Sequence, residues 1–331
     1  MDSKEKKINL YCENYIDWIK TKYEQGDYIF VYYNLEKFYN LCSIASKDFM
    51  DFDFNDTYDD TNFKKMDFFE KIDMVKDFFQ NINMTVDVDK YMNDGTLSPS
   101  YINFGKEDKK SYMKGKGKVD NNGNGDVTFP NSGLLLDSII MAHELGHMAN
   151  RPTNNEQKAI MSEAVALYTE LQFYDYLLKL GYKDEVLFFK NIRLKDTSKL
   201  SKLYSNSISI LLTYIKYGAV TEKNFNCLFP EKNYFEVLNR IESNEDFYTI
   251  SMGMNYVFGF VMATFLKRKV DEDFSYTENI NILNKRLNNS DFTENLRILG
   301  ISNFDYESIN YISSYLKDYL ENSKGLINKI N

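Results

Sequence analysis

The sequence predicts a mainly α-helical fold that contains one small antiparallel β-sheet. Apolar residues recur at helical spacing over most of the 331 residues. One stretch rich in Gly and Lys, residues 101–129, interrupts this pattern with short alternating segments that are typical of strands. Hydrophobic residues make up 43% of the chain and charged residues 27%, so the chain can bury a sizeable core and is not disordered.

Three helices are expected before this interruption. Apolar residues follow helical spacing over residues 5–23, 32–46 and 66–81. Between the second and the third helix, residues 51–60 contain five Asp in ten positions, which is typical of a solvated acidic loop.

Residues 101–129 hold five Gly and six Lys. Two Asn-Gly pairs within residues 120–125 favour a hairpin turn between short strands. The same residues match the first half of a calcium-binding loop, but its twelfth position is Asn131 and not the bidentate Glu that such a loop requires. We therefore interpret residues 120–125 as the turn of a small antiparallel sheet, with the lysines of residues 106–118 along a solvated strand edge.

From residue 131 the helical pattern returns and continues through the rest of the chain. No internal repeat or interdomain linker is visible, which favours a single domain. The expected helices are residues 133–149, 156–180, 198–217, 234–242, 252–269, 279–288 and 306–323.

Charge and composition disfavour several classes of protein. Lys and Arg number 40 against 49 Asp and Glu, and the net charge of −9 repels phosphate backbones, so no nucleic-acid partner is expected. The longest apolar run, residues 257–266, is about half of a membrane span, so no membrane segment is expected. The N-terminus is followed by no apolar region, which predicts no signal peptide. Three widely spaced Cys favour a reducing compartment, hence a cytoplasmic protein.

Both histidines of the chain lie in one pentapeptide, His-Glu-Leu-Gly-His, at residues 143–147. On a helix, positions i and i+4 share a face, so the imidazoles of His143 and His147 can reach one metal ion. A buried helix that presents neutral imidazoles is typical of a zinc site. Glu144 is then the candidate general base, since its carboxylate can accept a proton from a metal-bound water. The alternative is that two core histidines and a solvated Glu share the helix by chance.

A catalytic zinc needs a third protein ligand, and the chain has no third histidine. The next predicted helix places Glu163 and Glu170 seven residues apart, hence on one face, with Leu167 between them. Two carboxylates on an apolar face are costly unless they bind a metal or polar partners. We assign Glu163 as the third ligand and Glu170 as the group that orients a histidine N–H. The alternative is that both are surface charges.

Several segments together resemble a known family. HELGH, followed by a helix that contains SEAVALYTE, is similar to the oligoendopeptidase F and thimet oligopeptidase family of zinc endopeptidases. The resemblance covers roughly residues 66–301, with its segments in the family's order. The further similar segments are FFEKIDMVKDFFQNI, DVTFPNSGLLLDSIIMAHELGHM, NYVFGFVMATFL and ENINILNKRLNNSDFTENLRILGI.

This resemblance implies a mostly helical, zincin-like (gluzincin) fold with its site in a deep channel. It implies one zinc ion per chain bound by His143, His147 and Glu163, with Glu144 as general base. It also implies that the substrates are short, unfolded peptides.

The resemblance also suggests how the chain is organised. Residues 66–331 would form the zinc metallopeptidase catalytic domain, and residues 1–65 an N-terminal helical segment of the same domain. Family members are usually longer and carry a large N-terminal helical lobe that walls the channel. For this short form we therefore expect a more open channel.

The family stabilises the tetrahedral oxyanion with a histidine and tyrosines that precede the YVFGF-like segment. This chain has no third histidine, and the family's main tyrosine position falls on Gly253. Tyr248 falls where one branch of the family has the histidine, and Tyr256 lies within the matched segment. Either phenol could donate to an oxyanion, with Tyr256 preferred. The alternative is that both tyrosines only pack.

The sequence thus predicts a zinc-dependent endopeptidase or oligopeptidase that acts on peptides. One alternative is a non-catalytic, zinc-containing peptide-binding relative, which the changed positions around Tyr248 and Gly253 suggest. The retained Glu144 argues against it, because a pure binding protein needs no base. Another alternative is a specialised protease for one protein substrate. The sequence does not predict an oligomeric state.

Overall fold

The computed structural model describes residues 3–50, 52, 63–101, 116–119, 125–150 and 155–328, and most of these residues are helical. Three strands interrupt the helices, namely β1 (Leu97–Tyr101), β2 (Lys116–Val119) and β3 (Gly125–Asn131). The α-helices are α1 (Ser3–Glu24), α2 (Phe30–Tyr33), α3 (Leu35–Met50), α4 (Phe68–Asn81), α5 (Val88–Asn93), α6 (Asp137–Asn150), α7 (Glu156–Lys179), α8 (Lys183–Tyr217), α9 (Glu222–Leu228), α10 (Tyr234–Arg240), α11 (Glu245–Glu272), α12 (Thr277–Arg286), α13 (Phe292–Ile298) and α14 (Tyr306–Asn328).

The sheet corrects the antiparallel prediction. Its strand order is β1–β3–β2, and β1 pairs parallel with β3, with Leu97 opposite Val127. Only β2 pairs antiparallel with β3, with Lys116 opposite Thr128. The local turn signal described the β2–β3 pair, because a hairpin is encoded by adjacent residues. The edge that β1 occupies is set by long-range packing, and Pro99 is tolerated there because β1 is an edge strand.

Helix α7 lies at the centre of the fold. Residues 160–171 of α7 are buried at every position, since α6 packs on one side of the helix and α11 on another. This buried stretch contains four polar residues, Ser162, Glu163, Thr169 and Glu170. Polar groups in such a place need partners, because an unpaired buried polar group costs about 1–3 kcal/mol.

The N-terminal helices pack on the same body. Helix α3 contacts α8 and α14, and α1 contacts α8 and α11. Helix α8 begins at Lys183, fifteen residues before the predicted start at 198. Of the other predictions, the acidic loop at 51–60 (apart from Phe52), the turn and calcium-like motif at 120–124 and the lysines before residue 116 lie outside the described residues.

Helix α11 is long and apolar enough to cross a membrane by length and composition, alone among the described helices. Within its most apolar window, however, 72% is buried inside the protein. Its apolar residues pack against α7, α8 and α14, which is the environment of a core helix.

A buried ion pair fixes the start of α6. Lys71 on α4 is 0% exposed, and its ammonium donates to Asp137 Oδ2 at 2.7 Å and to Asn131 Oδ1 at 2.6 Å. The backbone N–H and the hydroxyl of Ser132 donate to the same Asp137 carboxylate, each at 2.9 Å. These bonds join α4, the end of β3 and the first turn of α6, so the helix that carries both histidines has a defined start.

Candidate metal centre

The two histidines lie one turn apart on α6, with ring centroids 5.1 Å apart. His143 is buried and His147 partly buried, as the surrounding residues of α6 are almost all inaccessible to solvent. Their imidazoles face α7, where Glu163 is the fourth residue of that helix's buried stretch. Helical spacing on α6 and the α6–α7 contact therefore bring three predicted ligands together.

The distances fit one small cation. His143 Nε2 lies 3.5 Å from Glu163 Oε1, and His147 Nε2 lies 3.3 Å from Glu163 Oε2. A tetrahedral zinc ion with bonds of about 2.0–2.1 Å separates its ligand atoms by about 3.3 Å. Within the described part of the chain, His143, His147 and Glu163 form the one group that could hold a metal, with ligand atoms within 4.8 Å of one another.

A buried, unsatisfied oxygen supports this fit. Glu163 Oε1 is inaccessible and accepts no hydrogen bond from the described residues, although a carboxylate oxygen in such a place requires a donor or a cation. Burial raises the pKa of Glu163, but the imidazoles of His143 and His147 outweigh it and hold this pKa below its ordinary value. Two imidazole nitrogens and one carboxylate form a ligand set that zinc accepts.

The Nδ1 atom of His147 has a hydrogen-bond partner that leaves Nε2 for a metal. Its Nδ1 lies 2.8 Å from the Ser162 hydroxyl, and that hydroxyl donates to Asn150 Oδ1 at 2.7 Å. Because the serine proton goes to Asn150, the serine oxygen accepts from His147 Nδ1–H. Nδ1 is thus engaged by the serine oxygen, and Nε2, which lies 3.3 Å from Glu163 Oε2, is the nitrogen that a metal would use.

His143 has a charged partner instead. Its Nδ1 lies 3.1 Å from Glu170 Oε2, at an angle short of a good hydrogen bond. Glu170 is only 1% exposed and also accepts hydrogen bonds from Arg193 and Tyr174. Burial raises the pKa of Glu170, but Arg193 and His143 outweigh it, so the carboxyl has a pKa well below its usual range. An ionised carboxylate beside Nδ1 favours a proton there, which leaves Nε2 of His143 free.

Glu144 lies beside the cluster and is 6% exposed. Burial raises the pKa of its carboxyl above the ordinary value, while the neighbouring imidazoles of His143 and His147 act in the opposite direction. A carboxyl whose pKa is moved towards neutrality is suited to accept and later return a proton.

The two candidate tyrosines occupy different places on α11. Tyr256 is 45% exposed, and the charge of Glu163 is the largest cause that raises the pKa of its phenol to about 12, so the phenol is within electrostatic reach of this candidate ligand. Tyr248 instead packs on α1, with its ring 5.7 Å from that of Tyr15 and 5.3 Å from that of Trp18.

Two glycines allow the helices to approach the site. A Cβ on Gly146 would lie 2.6 Å from Thr169 Oγ1 and 2.8 Å from Ala166 Cα on α7. A Cβ on Gly259 of α11 would lie 3.0 Å from Glu163 Cγ. Glu163 is therefore enclosed between two close helix crossings. Sequence reasoning did not give either glycine a role, although both belong to the motifs HELGH and YVFGF.

Arg193, Tyr174, Ser162 and Asn150 were also not identified from the sequence. Arg193 lies on the part of α8 that was not predicted to be helical. Ser162 directly precedes the predicted ligand Glu163 on the predicted helix, so its place next to the site could have been inferred from the sequence. A partner of Glu170 that comes from α8 has no local sequence signal, because it depends on how two helices pack.

Comparisons with known proteins give limited similarity. Neither protein-family models nor curated proteins produce a significant match. Among solved structures, the chain is similar to an assigned oligoendopeptidase F from Bacillus anthracis str. Ames, with 13% identity and a TM-score of 0.46 over 79% of this chain and 48% of that one. It is also similar to a PZ peptidase A solved with an inhibitor, with 14% identity and a TM-score of 0.48 over 87% of this chain and 58% of that one. The chain thus spans about half the length of these two relatives.

Proposed function

We propose that this protein is a zinc-dependent peptidase that hydrolyses short, unfolded peptides. The observation that carries the proposal is the convergence of His143 Nε2, His147 Nε2 and the unsatisfied Glu163 carboxylate, with the buried Glu144 carboxyl beside them. Three protein ligands leave one position of a tetrahedral zinc for water or substrate, which is the arrangement of a catalytic site and not of a structural one.

Each site residue has a role in this proposal. Bound by the three ligands, zinc would supply Lewis-acid polarisation and lower the pKa of a water molecule to about 7. Glu144 accepts the proton of the attacking water and transfers it to the leaving amine. Tyr256 donates a hydrogen bond from its phenol to the oxyanion that develops on the scissile carbonyl. His143 and His147 are held by Glu170 and Ser162 so that their Nε2 atoms point to the ligand position.

The cellular setting that we propose is a reducing one. Cys12 and Cys42 are buried free thiols and Cys227 is an exposed one, so the described fold uses no disulfide among these cysteines. An exposed free thiol is most compatible with a compartment such as the cytoplasm.

The test combines metal content with hydrolysis. We expect purified protein to contain about one zinc per chain by plasma mass spectrometry and to cleave a mixed peptide library. Glu144→Gln should keep the zinc and lose cleavage, because no carboxylate then accepts the proton. Glu272→Gln is a matched control, since Glu272 pairs with Arg268 in an exposed ion pair away from the site.

The outcomes separate the candidate functions. Zinc retained at one per chain in His143→Ala would overturn the ligand assignment. Cleavage by Glu144→Gln at the wild-type rate would remove Glu144 as the base. Wild-type protein that binds zinc and peptides without cleaving any member of the library would instead be the non-catalytic peptide-binding protein.

A further inference from the structure

Glu170 joins three helices at one buried carboxylate. It lies on α7, contacts His143 of α6 through Oε2, and forms an ion pair with Arg193 of α8. Arg193 Nε donates to Oε1 at 2.9 Å and Arg193 Nη2 donates to Oε2 at 2.6 Å. The Tyr174 hydroxyl donates to Oε1 as well. Each carboxylate oxygen thus receives at least one fixed donor before the imidazole is considered.

From this geometry we infer that Arg193 is a positioning residue for the metal site, acting through Glu170 on His143. The inference rests on the proposed function, because it assigns Arg193 to the histidine that would bind zinc. The charge of Arg193 also reaches Glu163 through space, but its hydrogen bonds go to Glu170. The orienting part of its effect on His143 therefore passes through the Glu170 carboxylate.

Arg193 acts on Glu170 in two ways, since it orients the carboxylate and compensates its charge. A guanidinium that binds both oxygens of a carboxylate fixes the plane of that carboxylate, which a single point charge does not do. The fixed plane holds Oε2 3.1 Å from His143 Nδ1, so that Nε2 is the nitrogen available to the metal. Glu170 is 1% exposed, so without Arg193 its charge would be buried and largely uncompensated.

The position of Arg193 explains why the contact is rigid. Its backbone oxygen accepts from Thr197 Oγ1 at 2.9 Å within α8, and α8 is a continuous helix from Lys183 to Tyr217. Arg193 therefore lies in the interior of a long helix and not in a loop. Removal of the guanidinium should disturb Glu170 without displacing the helix.

The experiment measures the zinc affinity of the metal-free protein by competition with a chromogenic chelator, with zinc alone as the probe. Arg193→Gln is expected to weaken zinc binding about 10–100-fold, the usual effect of losing a group that orients a ligand. Arg193→Lys keeps the positive charge but cannot bind both carboxylate oxygens as a guanidinium does. Its zinc affinity should therefore lie between those of Arg193→Gln and the wild type. Arg268→Gln, in an exposed pair, is the control and should bind zinc like the wild type.

A double-variant cycle shows whether the effect passes through Glu170. Glu170→Gln alone and Glu170→Gln with Arg193→Gln should bind zinc with nearly the same affinity, since Arg193 has then lost the carboxylate through which it acts. The double variant removes both members of the ion pair, so neither is left buried without its partner. The comparison between Glu170→Gln and the double variant therefore remains possible even where Arg193→Gln alone folds poorly. In the cobalt-substituted protein, Arg193→Gln should also alter the visible absorption of the metal.

The outcomes are distinct from those of the proposed function. Tight zinc binding that is the same in Arg193→Gln as in the wild type overturns this inference and leaves the zinc site in place. Losses from the two single variants that add fully in the double variant also overturn it, because they would indicate independent effects. A wild-type protein that binds no zinc overturns both the proposed function and this inference.

Discussion

At the residue scale, the two imidazoles are held by different chemistry although they lie one helical turn apart. His147 donates to the neutral hydroxyl of Ser162, whereas His143 faces the ionised carboxylate of Glu170. A carboxylate partner makes the opposite nitrogen of an imidazole more basic than a neutral partner does. We therefore expect His143 to be the stronger donor to a metal.

The first prediction concerns the oxyanion donor. Tyr256→Phe should lower kcat by about 10²–10³, the usual cost of losing one such donor, while zinc content stays unchanged. The reason is that the Tyr256 phenol is close enough to Glu163 for that carboxylate to dominate its raised pKa. Single-turnover kinetics on a cleaved library peptide measures the effect.

Tyr248→Phe serves as the matched control, since Tyr248 is on the same helix but packs its ring on Tyr15 and Trp18 of α1. We expect its chemical step to remain within a few-fold of the wild type. A larger loss in Tyr248→Phe than in Tyr256→Phe would reverse the assignment.

At the scale of secondary-structure elements, the site depends on how closely α6 and α11 approach α7. Gly146 and Gly259 are at the two crossing points, where their missing side chains leave room for Thr169 and Glu163. Thr169 Oγ1 also donates to Ala142 O of α6 at 3.1 Å, so the first crossing includes a hydrogen bond between helices. The three candidate metal ligands come from α6 and α7, so their separation is set by this crossing.

The second prediction tests that crossing. Gly146→Ala should destabilise the metal-free protein by about 1–3 kcal/mol, because the added methyl group overpacks a backbone contact at 2.8 Å. Helix propensity alone would make Gly146→Ala stabilising, by about 1 kcal/mol. The expected destabilisation therefore comes only from the close crossing of α6 and α7. Urea unfolding followed by circular dichroism measures the difference. An unchanged or raised midpoint would show that α6 and α7 can separate at no cost.

At the scale of the whole molecule, buried charges join parts of the chain that are distant in sequence. Lys71 and Asp137 are 0% exposed and form an ion pair at 2.7 Å, which links α4 to the first turn of α6. Removal of one member of a buried pair leaves the other charge without its counter-ion. Breaking such a pair is therefore far more costly than breaking a surface pair.

The third prediction follows from this pair. Lys71→Met should lower the free energy of unfolding by about 3–5 kcal/mol, because Asp137 then keeps its charge in the core without the ammonium. Lys76→Met is the control on the same helix, since Lys76 pairs with a largely exposed Asp89 and its loss should change the stability far less. Equal losses in the two variants, measured by urea unfolding, would contradict the prediction.

The fourth prediction concerns a lysine that lines a cavity of about 280 Å³ between α7, α8, α11 and α14. Lys190 has its ammonium 4.6 Å from the centre of the Tyr319 ring, and burial lowers its pKa from 10.5 to about 8 despite the nearby Asp175. Between pH 8 and 10.5 the unfolded chain binds more protons at Lys190 than the folded protein does. This residue therefore makes the protein more stable as the pH rises through that range.

Lys190→Met removes the pH dependence of stability that Lys190 causes. The variant should exceed the wild type in stability at pH 7, and the difference should shrink by about 1–3 kcal/mol by pH 10. Lys199→Met, an exposed position of the same helix, should follow the wild-type profile. Urea unfolding at several pH values measures the difference, and a gap between Lys190→Met and wild type that stays constant or widens would contradict the prediction.

Local periodicity in the sequence correctly predicted that the fold is mostly helical, because helical spacing of apolar residues is a property of neighbouring positions. It was wrong about β1, since the choice between a parallel and an antiparallel partner depends on the route of the chain between strands. The sequence analysis also missed the first half of α8, residues 183–197, where four successive apolar residues at 186–189 lie among charged ones.

The sequence by itself determined that one helix presents His143, Glu144 and His147 together, because a spacing of four residues is one helical turn. Only the tertiary structure decided which groups surround them. Glu163 reaches the imidazoles because α6 and α7 cross closely, and Arg193 reaches Glu170 because α8 packs across α7. The charge of Glu163 acts on Tyr256 while Tyr248 packs on α1, although both tyrosines belong to one helix. These relations join residues far apart in the chain, and packing between helices, which no local pattern encodes, determines them.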